Sequence, residues 1–244
     1  MGKRKIRHRE ETMMKIMLDA GHGPNTPGKR SPDQFKEFTF TSSVADHAKT
    51  LLEAYENVTI YFAHSKNEDI PLKERTDKAN RLNVNCYVAI HANAFGNGTT
   101  WNDANGIETY VYLSKPKEAL ELAERVQKNL VIATGLTNRG VKSADFHVLR
   151  ETNMTAILAE CGFYTNKNEL QLIKTDSYQK TCAEAIVKGI VDQYKLKKKN
   201  NTSSNQKTKT LYKVQIGAYS NKKNAEKIVK ALQEKGYDPI IVND

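Results

Sequence analysis

The stretch CYVAIH, residues 86–91, decides the fold class of this chain. Five apolar residues run without interruption and end at His91, a pattern typical of a strand that is buried on both faces of a sheet. A second run of this kind, TAILAE at 155–160, ends at Glu160. Because ligands and catalytic groups gather at strand ends in open α/β sheets, both stretches predict a buried sheet with polar groups at one edge.

Further strands and helices alternate around these two stretches. Strands are predicted at KIMLDA (15–20), VTIYF (58–62) and GIETYVYL (106–113), and a Pro/Gly-rich loop at 23–32. Helices are predicted around residues 44–55, 72–82, 119–130 and 178–194. This alternation predicts an α/β fold with a mixed, mostly parallel sheet that is covered by helices on both faces.

Composition divides the 244 residues into four parts. Residues 1–13 form a basic N-terminal extension, and residues 14–195 hold the α/β pattern. Residues 196–210, rich in Lys, Asn, Ser and Thr, contain hardly any apolar side chains and are predicted to be a flexible linker. Residues 211–244 read as strand, helix (224–236) and strand, a small βαβ segment with little core of its own.

The formal net charge of +10 is unevenly distributed. Residues 12–194 are close to neutral, whereas residues 195–210 contain six lysines and no acidic residue. A nucleic-acid enzyme would usually carry a basic face on its folded domain, so nucleic acid is not an expected partner. Basic tails fit attraction to a polyanion such as an anionic cell wall, or simple solvation. No apolar run approaches the ~18–20 residues of a membrane span.

Four residues are candidates for a metal-dependent site. His22 lies between two glycines, which are expected to let the backbone turn tightly, and His91 follows a buried strand. Glu37 lies at the start of the first long helix. Glu160 has apolar surroundings, where a carboxylate needs a charged partner, a metal-bound water or a raised pKa. A catalytic zinc site needs three protein ligands, an open position and a base.

Residue types alone leave this assignment open. Glu160 is equally compatible with a salt bridge to Arg75 or Arg150, and the metal motif HExxH is absent. Four other histidines are as available as ligands: His8, His47, His64 and His147. At this level the sequence supports an α/β hydrolase-like domain with a possible metal site.

Six blocks of sequence narrow the choice. They are LDAGHG (18–23), Glu37, RTDKAN (75–80), VAIHANA (88–94), GIETYVY (106–112) and RGVKSADFHVLRETNMTAILAECGFYTNKNE (139–169). In content and order they resemble the zinc-dependent N-acetylmuramoyl-L-alanine amidases of the amidase-3 type, which occur as autolysins and phage endolysins. The resemblance covers residues 14–195.

This resemblance implies one zinc ion per chain on His22, Glu37 and His91, with water in the fourth position. It implies hydrolysis of the amide between N-acetylmuramic acid and the L-alanine of the stem peptide. Glu160 takes the place of the family's catalytic glutamate, a general base that then acts as acid. The family's Thr-Arg pair is replaced by AHSKNED (63–69), which makes His64 a lesser candidate for the site.

The C-terminal segment 212–242 resembles half of a SPOR peptidoglycan-binding repeat. Peptidoglycan is therefore the expected partner, and a homodimer formed through the half-repeat could complete its fold. The basic N-terminus is not followed by an apolar stretch, so no signal peptide is expected. The expectation is synthesis in the cytoplasm and action on the wall after release by lysis.

Two rival functions stay open. The first is a zinc carboxypeptidase or peptidase that acts on stem peptides with a similar metal set. The second is a non-catalytic wall-binding protein that keeps the fold. The presence of Glu160 together with all three ligand candidates favours an enzyme over a pure binder.

Overall fold

The structure is a computed structural model that describes residues 13–199 and 221–235, together with residues 217, 219, 237, 239 and 241. The chain divides into two compact units, residues 1–200 and 201–244. The first unit carries the sheet that the sequence predicts. None of the described helices is long and apolar enough to cross a membrane.

The first unit is built on one six-stranded sheet. Its strands are β1 (Met14–Ala20), β2 (Val58–Phe62), β3 (Cys86–Asn93), β4 (Ile107–Val111), β5 (Asn138–Ser143) and β6 (Thr155–Phe163). They lie in the order β2-β1-β3-β6-β4-β5. The first four in this order run parallel, β4 is antiparallel to β6, and β5 is parallel to β4. The predicted mixed, mostly parallel sheet is confirmed. Strand β5 is not predicted, because its sequence NRGVKS has a single apolar side chain.

Helices cover both faces of this sheet, as predicted. One face packs against α1 (Glu37–Leu52), α3 (Lys117–Thr134) and α6 (Asp176–Tyr194). The other face packs against α2 (Leu72–Leu82) and the short α4 (His147–Arg150). Helix α5 (Lys167–Ile173) follows β6. The larger core lies on the three-helix side, and the thinner layer on the α2 side leaves room for a cleft.

Alternation along β3 decides which side chains reach which face. Cys86 and Val88 lie in the larger core, whereas Tyr87 and Ala89 lie in the smaller core beside α2 and α4. Successive side chains of a strand point to opposite faces. His91 therefore lies on the α2 side, at the carboxyl end of the strand.

The first unit extends slightly beyond the predicted boundary at residue 195. Residues 197–199 pair with residues 54–56 through two backbone hydrogen bonds of 2.8 Å and an antiparallel bridge. Leu196 packs against the larger core. The first four residues of the predicted linker are thus part of the first unit.

In its described part, the second unit contains the helix α7 (Lys222–Gln233). The side chain of Asn221 caps this helix by accepting a hydrogen bond from the backbone N–H of Lys223 at 3.0 Å. Helix α7 corresponds to the helix predicted at 224–236. The strands predicted at 211–220 and 238–242 fall largely outside the described residues.

Candidate metal centre and active site

His22 lies on the loop after β1 and has a left-handed backbone, with a φ of 67°. The sequence predicts that the flanking glycines permit a tight turn, but in the structure they are needed because there is no room for a side chain. A Cβ at Gly21 would lie 2.4 Å from the ring of His91, and one at Gly23 would lie 2.3 Å from the Asp69 carboxylate. The glycines therefore let the loop approach its neighbours closely, and His22 itself adopts the strained conformation.

Arg75 on α2 holds this loop in place. Its buried guanidinium donates from Nη1 to Asp19 Oδ1 at 2.7 Å and to the carbonyl of Ala20 at 2.8 Å. It donates from Nη2 to the carbonyl of His22, and from Nε to the carbonyl of Ile70 at 2.9 Å. A planar fork of donors can hold several acceptors at fixed positions. The guanidinium thereby fixes the backbone that carries His22.

Glu37 is the first residue of α1, and its side chain is only 3% exposed. Its Oε1 accepts from the backbone N–H of Ala92 at 3.1 Å and lies 3.0 Å from Nδ1 of His91. Its Oε2 lies 3.0 Å from Nε2 of His22. Burial raises the pKa of the Glu37 carboxyl, but the hydrogen bonds from both imidazoles lower it overall. Glu37 is therefore a buried carboxylate between two histidines.

These three side chains form a compact set of donor atoms. The candidate ligand atoms of His22, Glu37 and His91 all lie within 4.8 Å of one another. The two imidazole rings meet edge to face, with centroids 5.1 Å apart. Two imidazoles and one glutamate are a ligand set that catalytic zinc sites use. The structure thus brings together the three residues that the sequence analysis expects as ligands.

Glu160 lies beside this set on the neighbouring strand. In the parallel pairing of β3 with β6, His91 is the register partner of Glu160. The Oε2 atom of Glu160 is buried and has no hydrogen-bond partner among the described residues. Burial raises the pKa of the Glu160 carboxyl well above its usual range, and His91 offsets this only in part. A protonated carboxyl is therefore stabilised next to the donor set.

Of the alternatives raised by the sequence, His147 lines the same cleft but is not part of the donor set, and its Nε2 lies 3.3 Å from Oγ1 of Thr76. The others lie elsewhere. Arg75 is committed to the β1 loop, and Arg150 pairs with two acidic residues near the surface. Neither arginine therefore forms an ion pair with Glu160. His47 lies 3.0 Å from Asp176, away from the donor set, and His8 lies outside the described residues.

His64, the lesser candidate, lies against the end of β1 and outside the donor set. Its Nδ1 accepts from the backbone N–H of Ala20 at 3.0 Å, so the proton of the neutral ring is on Nε2. The ring packs beside Phe62, with centroids 4.7 Å apart. Burial lowers the pKa of His64 to about 4. His64 therefore supports the end of β1 as a neutral imidazole and does not belong to the donor set.

A second carboxylate, Glu108, flanks Glu160 on its other side, as the register partner on β4. Its Oε2 accepts from Nε of Arg139 at 2.7 Å and from Nζ of Lys142, and its Oε1 accepts from the Tyr110 hydroxyl at 2.7 Å. Burial raises the pKa of Glu108, but these donors lower it to about 2, so it is ionised. Sequence reasoning missed this cluster, because both basic residues lie on the unpredicted strand β5.

The donor set and Glu160 open into a cleft of about 680 Å³. This size is within the range of small-ligand sites and admits a short peptide or a sugar unit. Other lining residues come from the β1 loop, from the segments after β3 and β6, and from the starts of α2 and α4. They include Thr26, Lys29, Asp69, Leu72, Phe146, His147 and Tyr164.

A mixed α/β sheet with a His-Glu-His donor set and a buried glutamate at one edge defines a class: enzyme domains with the ligand set of metal-dependent hydrolases. Residues 16–192 match the family model described as N-acetylmuramoyl-L-alanine amidase. The chain belongs to this family, whose members are peptidoglycan hydrolases, and the predicted enzyme class is confirmed.

Similar proteins agree with this membership. The sporulation-specific N-acetylmuramoyl-L-alanine amidase of Bacillus subtilis is 32% identical over 231 residues, which are 94% of this chain and 85% of that protein. The endolysin of Bacillus phage SPP1 is 30% identical over 192 residues, which are 79% of this chain and 70% of that protein.

Solved structures show the same fold. The catalytic domain of CwlV, an N-acetylmuramoyl-L-alanine amidase from Bacillus (Paenibacillus) polymyxa, superposes with a TM-score of 0.70 at 31% identity and covers 76% of this chain and 100% of that domain. An N-acetylmuramoyl-L-alanine amidase from Clostridium difficile 630 has a TM-score of 0.71 at 34% identity and covers 75% of this chain and 98% of that structure.

The C-terminal part has a match of its own. Residues 187–243 match the SPOR domain, which indicates binding to peptidoglycan. This match begins inside α6, ahead of residue 211, where the predicted half-repeat starts.

Proposed function

We propose that this chain hydrolyses the amide bond between N-acetylmuramic acid and the L-alanine of the stem peptide, using one zinc ion and Glu160. His22, Glu37 and His91 would hold the zinc ion. The fit rests on their chemistry, because two imidazole nitrogens and one carboxylate oxygen converge within 4.8 Å of one another, and this is a donor set that catalytic zinc sites use. The hydrogen bond from the Ala92 N–H to Glu37 orients the carboxylate ligand from behind.

Glu160 would carry the proton of the reaction. When bound, the zinc ion supplies Lewis acidity that acidifies a water molecule and polarises the amide carbonyl. Glu160 takes a proton from the attacking water and delivers it to the leaving amide nitrogen. Burial raises the pKa of Glu160, and the nearby charges of Glu37 and Glu108 raise it further. A carboxyl that both accepts and returns a proton near neutral pH needs such a raised pKa.

The unpartnered, buried Oε2 of Glu160 beside the donor set carries this proposal. Structural carboxylates in the same sheet, such as Glu108, use their oxygens in several hydrogen bonds. An oxygen without a partner is costly unless a water or a substrate atom uses it. Proton transfer beside the donor set would engage Oε2 of Glu160.

Mass spectrometry of digested peptidoglycan tests the proposal. The amidase releases intact stem peptides with a free N-terminal L-alanine and leaves glycan strands with an unsubstituted lactyl group. A carboxypeptidase would instead release single amino acids while the peptides stay on the glycan, and a non-catalytic binder would release nothing. The Glu160→Gln protein, purified in parallel, is the control for contaminating hydrolases.

We further propose that the C-terminal part brings the enzyme to the cell wall, where it acts after release by lysis. The homodimer through residues 211–244 stays a prediction. Sedimentation velocity of the full chain, compared with a chain that ends at residue 199, tests it: a monomer in both cases would refute the dimer.

A further inference from the structure

Two cations continue the row of side chains that begins at the donor set. On the face of the sheet that carries His91, its register partner on β6 is Glu160, and the register partner of Glu160 on β4 is Glu108. The next strand, β5, contributes Arg139 and Lys142, which both donate to Oε2 of Glu108. Register partners on neighbouring strands point to the same face of a sheet. The row therefore runs from the donor set across β6 and β4 to two positive charges.

Both cations are held in place and remain partly open to solvent. The side chain of Lys142 is 37% exposed and that of Arg139 is 34% exposed, whereas the Glu108 side chain is 3% exposed. The guanidinium of Arg139 also lies over the ring of Phe163, with 4.9 Å between Cζ and the ring centroid, and its Nη2 donates to no described residue. Because two positive charges share one carboxylate, an anion from solution can bind to the pair without displacing Glu108.

The cation pair adjoins the cleft through two residues that line it. Asn93, two residues after His91, donates from Nδ2 to Oε1 of Glu108 at 2.6 Å. Phe146 packs edge to face against Tyr110, with ring centroids 5.1 Å apart, and the Tyr110 hydroxyl donates to the same Oε1. A ligand that lies in the cleft and extends past Asn93 and Phe146 therefore comes to the two cations.

The chemistry of the proposed substrate decides which part of it meets these cations. The lactyl carboxyl of N-acetylmuramic acid is consumed in the scissile amide, so this sugar has no free carboxylate. The peptide on the other side of the amide carries at least its terminal carboxylate. A pair of cations on one side of Glu160 therefore favours the peptide on that side and the glycan on the opposite side.

We propose that Arg139 and Lys142 form a subsite for a free carboxylate of the stem peptide, so that the peptide extends from the donor set across β4 and β5. The inference rests on the proposed function, because the peptide is the leaving group of that reaction. Neighbouring strands lie about 4.8 Å apart, so β5 is about 10 Å from β6, which carries Glu160. An extended peptide advances about 3.4 Å per residue, which puts the carboxylate on about the third residue of the stem peptide. Charge-assisted hydrogen bonds from both cations bind it.

Two soluble muramoyl tripeptides test this subsite. They are identical except that the third residue ends in a free carboxylate or in a carboxamide. Lys142→Gln is expected to lower kcat/KM for the carboxylate substrate about five- to tenfold, mainly through KM, and to change the carboxamide substrate by less than about twofold. Lys142→Arg, which keeps the charge, is expected to restore most of the preference. Both variants leave Glu108 its other donors, from Asn93, Tyr110 and Arg139, so the fold is expected to be retained.

Lys128→Gln is the matched control, since Lys128 is exposed on α3, which covers the opposite face of the sheet. It is expected to leave the ratio of the two substrates unchanged. Equal losses on both substrates with Lys142→Gln, or no loss on either, would overturn the inference and leave the amidase function standing. Slower lysis of whole walls with unchanged cleavage of the soluble carboxylate substrate would also overturn it, because the ligand would then be an anionic wall polymer.

Calorimetric titration with the free tripeptide separates the subsite from the reaction. Weaker binding to Lys142→Gln than to the unaltered chain is expected, and equal binding would overturn the inference. This measurement decides the matter if the unaltered chain cleaves neither soluble substrate. If that chain also fails to cleave peptidoglycan, the proposed function has failed, and the titration still shows whether the cations bind the peptide.

Discussion

Two carboxylates of the site, Glu37 and Glu160, differ in their surroundings, and this difference supports the different tasks proposed for them. Glu37 lies between two imidazoles and also accepts a backbone N–H, so its ionised form is favoured. Glu160 has a buried oxygen without a partner, so its neutral form is favoured. Environments that separate the pKa values of two nearby acids suit one for binding a cation and the other for moving a proton.

Exchange of each carboxylate for its amide separates these two tasks. Glu160→Gln is expected to keep near-normal zinc content and thermal stability and to lose turnover by roughly 10²–10⁴-fold, the usual contribution of general acid–base catalysis. Glu37→Gln is expected to weaken zinc binding itself. Metal content by atomic absorption, measured on the same samples as the hydrolysis rate, checks both. Zinc loss in the first variant with retention in the second would show that the roles are reversed.

His64 predicts a pH dependence of stability. Burial lowers the pKa of His64 to about 4, whereas a histidine in an unfolded chain titrates near 6.5. Between these values the unfolded state binds the additional proton. The contribution of the neutral ring is therefore fully present above about pH 6.5 and is lost as the pH falls toward 4. The loss in the free energy of unfolding is about 3 kcal/mol.

His64→Asn isolates this effect, because the amide oxygen can accept the Ala20 N–H in place of Nδ1 and does not titrate. The variant is expected to show a shallower fall of the free energy of unfolding between pH 6.5 and 4. Urea unfolding with a chelator present measures the fall without a contribution from metal loss. Identical slopes for wild type and His64→Asn would contradict the role of burial.

At the scale of elements, the site depends on the contact of α2 with the end of β1. Arg75 makes this contact and bonds two carbonyls and one carboxylate of the β1 segment. Neither element contains a residue of the proposed reaction, but His22 lies on the loop two residues after the end of β1. The position of His22 is therefore set by a helix on the far side of the loop.

Arg75→Lys tests this dependence, because lysine keeps the charge but cannot reproduce the fork. The free energy of unfolding is expected to fall by about 3 kcal/mol, since buried carbonyls lose their donors. Zinc affinity is expected to fall as well, because His22 is no longer held. Arg81→Lys, at an exposed position of the same helix, is the control. Thermal unfolding and zinc titration give the two readouts, and wild-type values in both would refute a positioning role for Arg75.

The sequence predicts those elements whose signals are local. Strands β3 and β6 are predicted because continuous apolar runs mark buried strands, and α1 because its apolar residues recur at helical spacing. Strand β5 and the short α4 and α5 have no comparable pattern. Strand β5 gains its place from pairing with β4, which is a long-range contact.

For the site too, the sequence predicts what depends on local signals and misses what depends on long-range contacts. His22, Glu37, His91 and Glu160 are expected ligands and base through resemblance to a family, and residue types alone leave other histidines available. The register that brings Glu160 beside His91 cannot be predicted from the sequence of either strand alone. The left-handed backbone of His22 could not be expected either, since a neighbouring glycine is the usual place for it.

At the scale of the whole molecule, the end of the first unit matters. Residues 197–199 are bonded to residues 54–56, and Leu196 packs on the core, although their composition predicts a linker. Residues 196–199, of which three are lysines, therefore contribute to the stability of the first unit. The proposed boundary of the catalytic part moves from residue 195 to residue 199.

Two truncated chains test this boundary. A chain that ends at residue 199 is expected to unfold at the same temperature as the first unit of the full chain. A chain that ends at residue 195 loses two backbone hydrogen bonds and the packing of Leu196 and should be less stable by about 2 kcal/mol. That difference is about 4–8 °C in Tm for a unit of this size. Equal Tm values for the two truncations would refute the boundary at 199.

The order of the strands has a consequence for biosynthesis. Strand β6 is translated last, yet it lies in the middle of the sheet, between β3 and β4. Until residue 163 has left the ribosome, the nascent chain can form only two groups of strands, β2-β1-β3 and β4-β5, that are not hydrogen-bonded to each other. Each group has an open edge. Only the arrival of β6 joins them, and the same strand carries Glu160 to His91. Synthesis of β6 thus completes the sheet and brings the proposed proton-transfer group to the donor set in one step, late in the synthesis of the first unit.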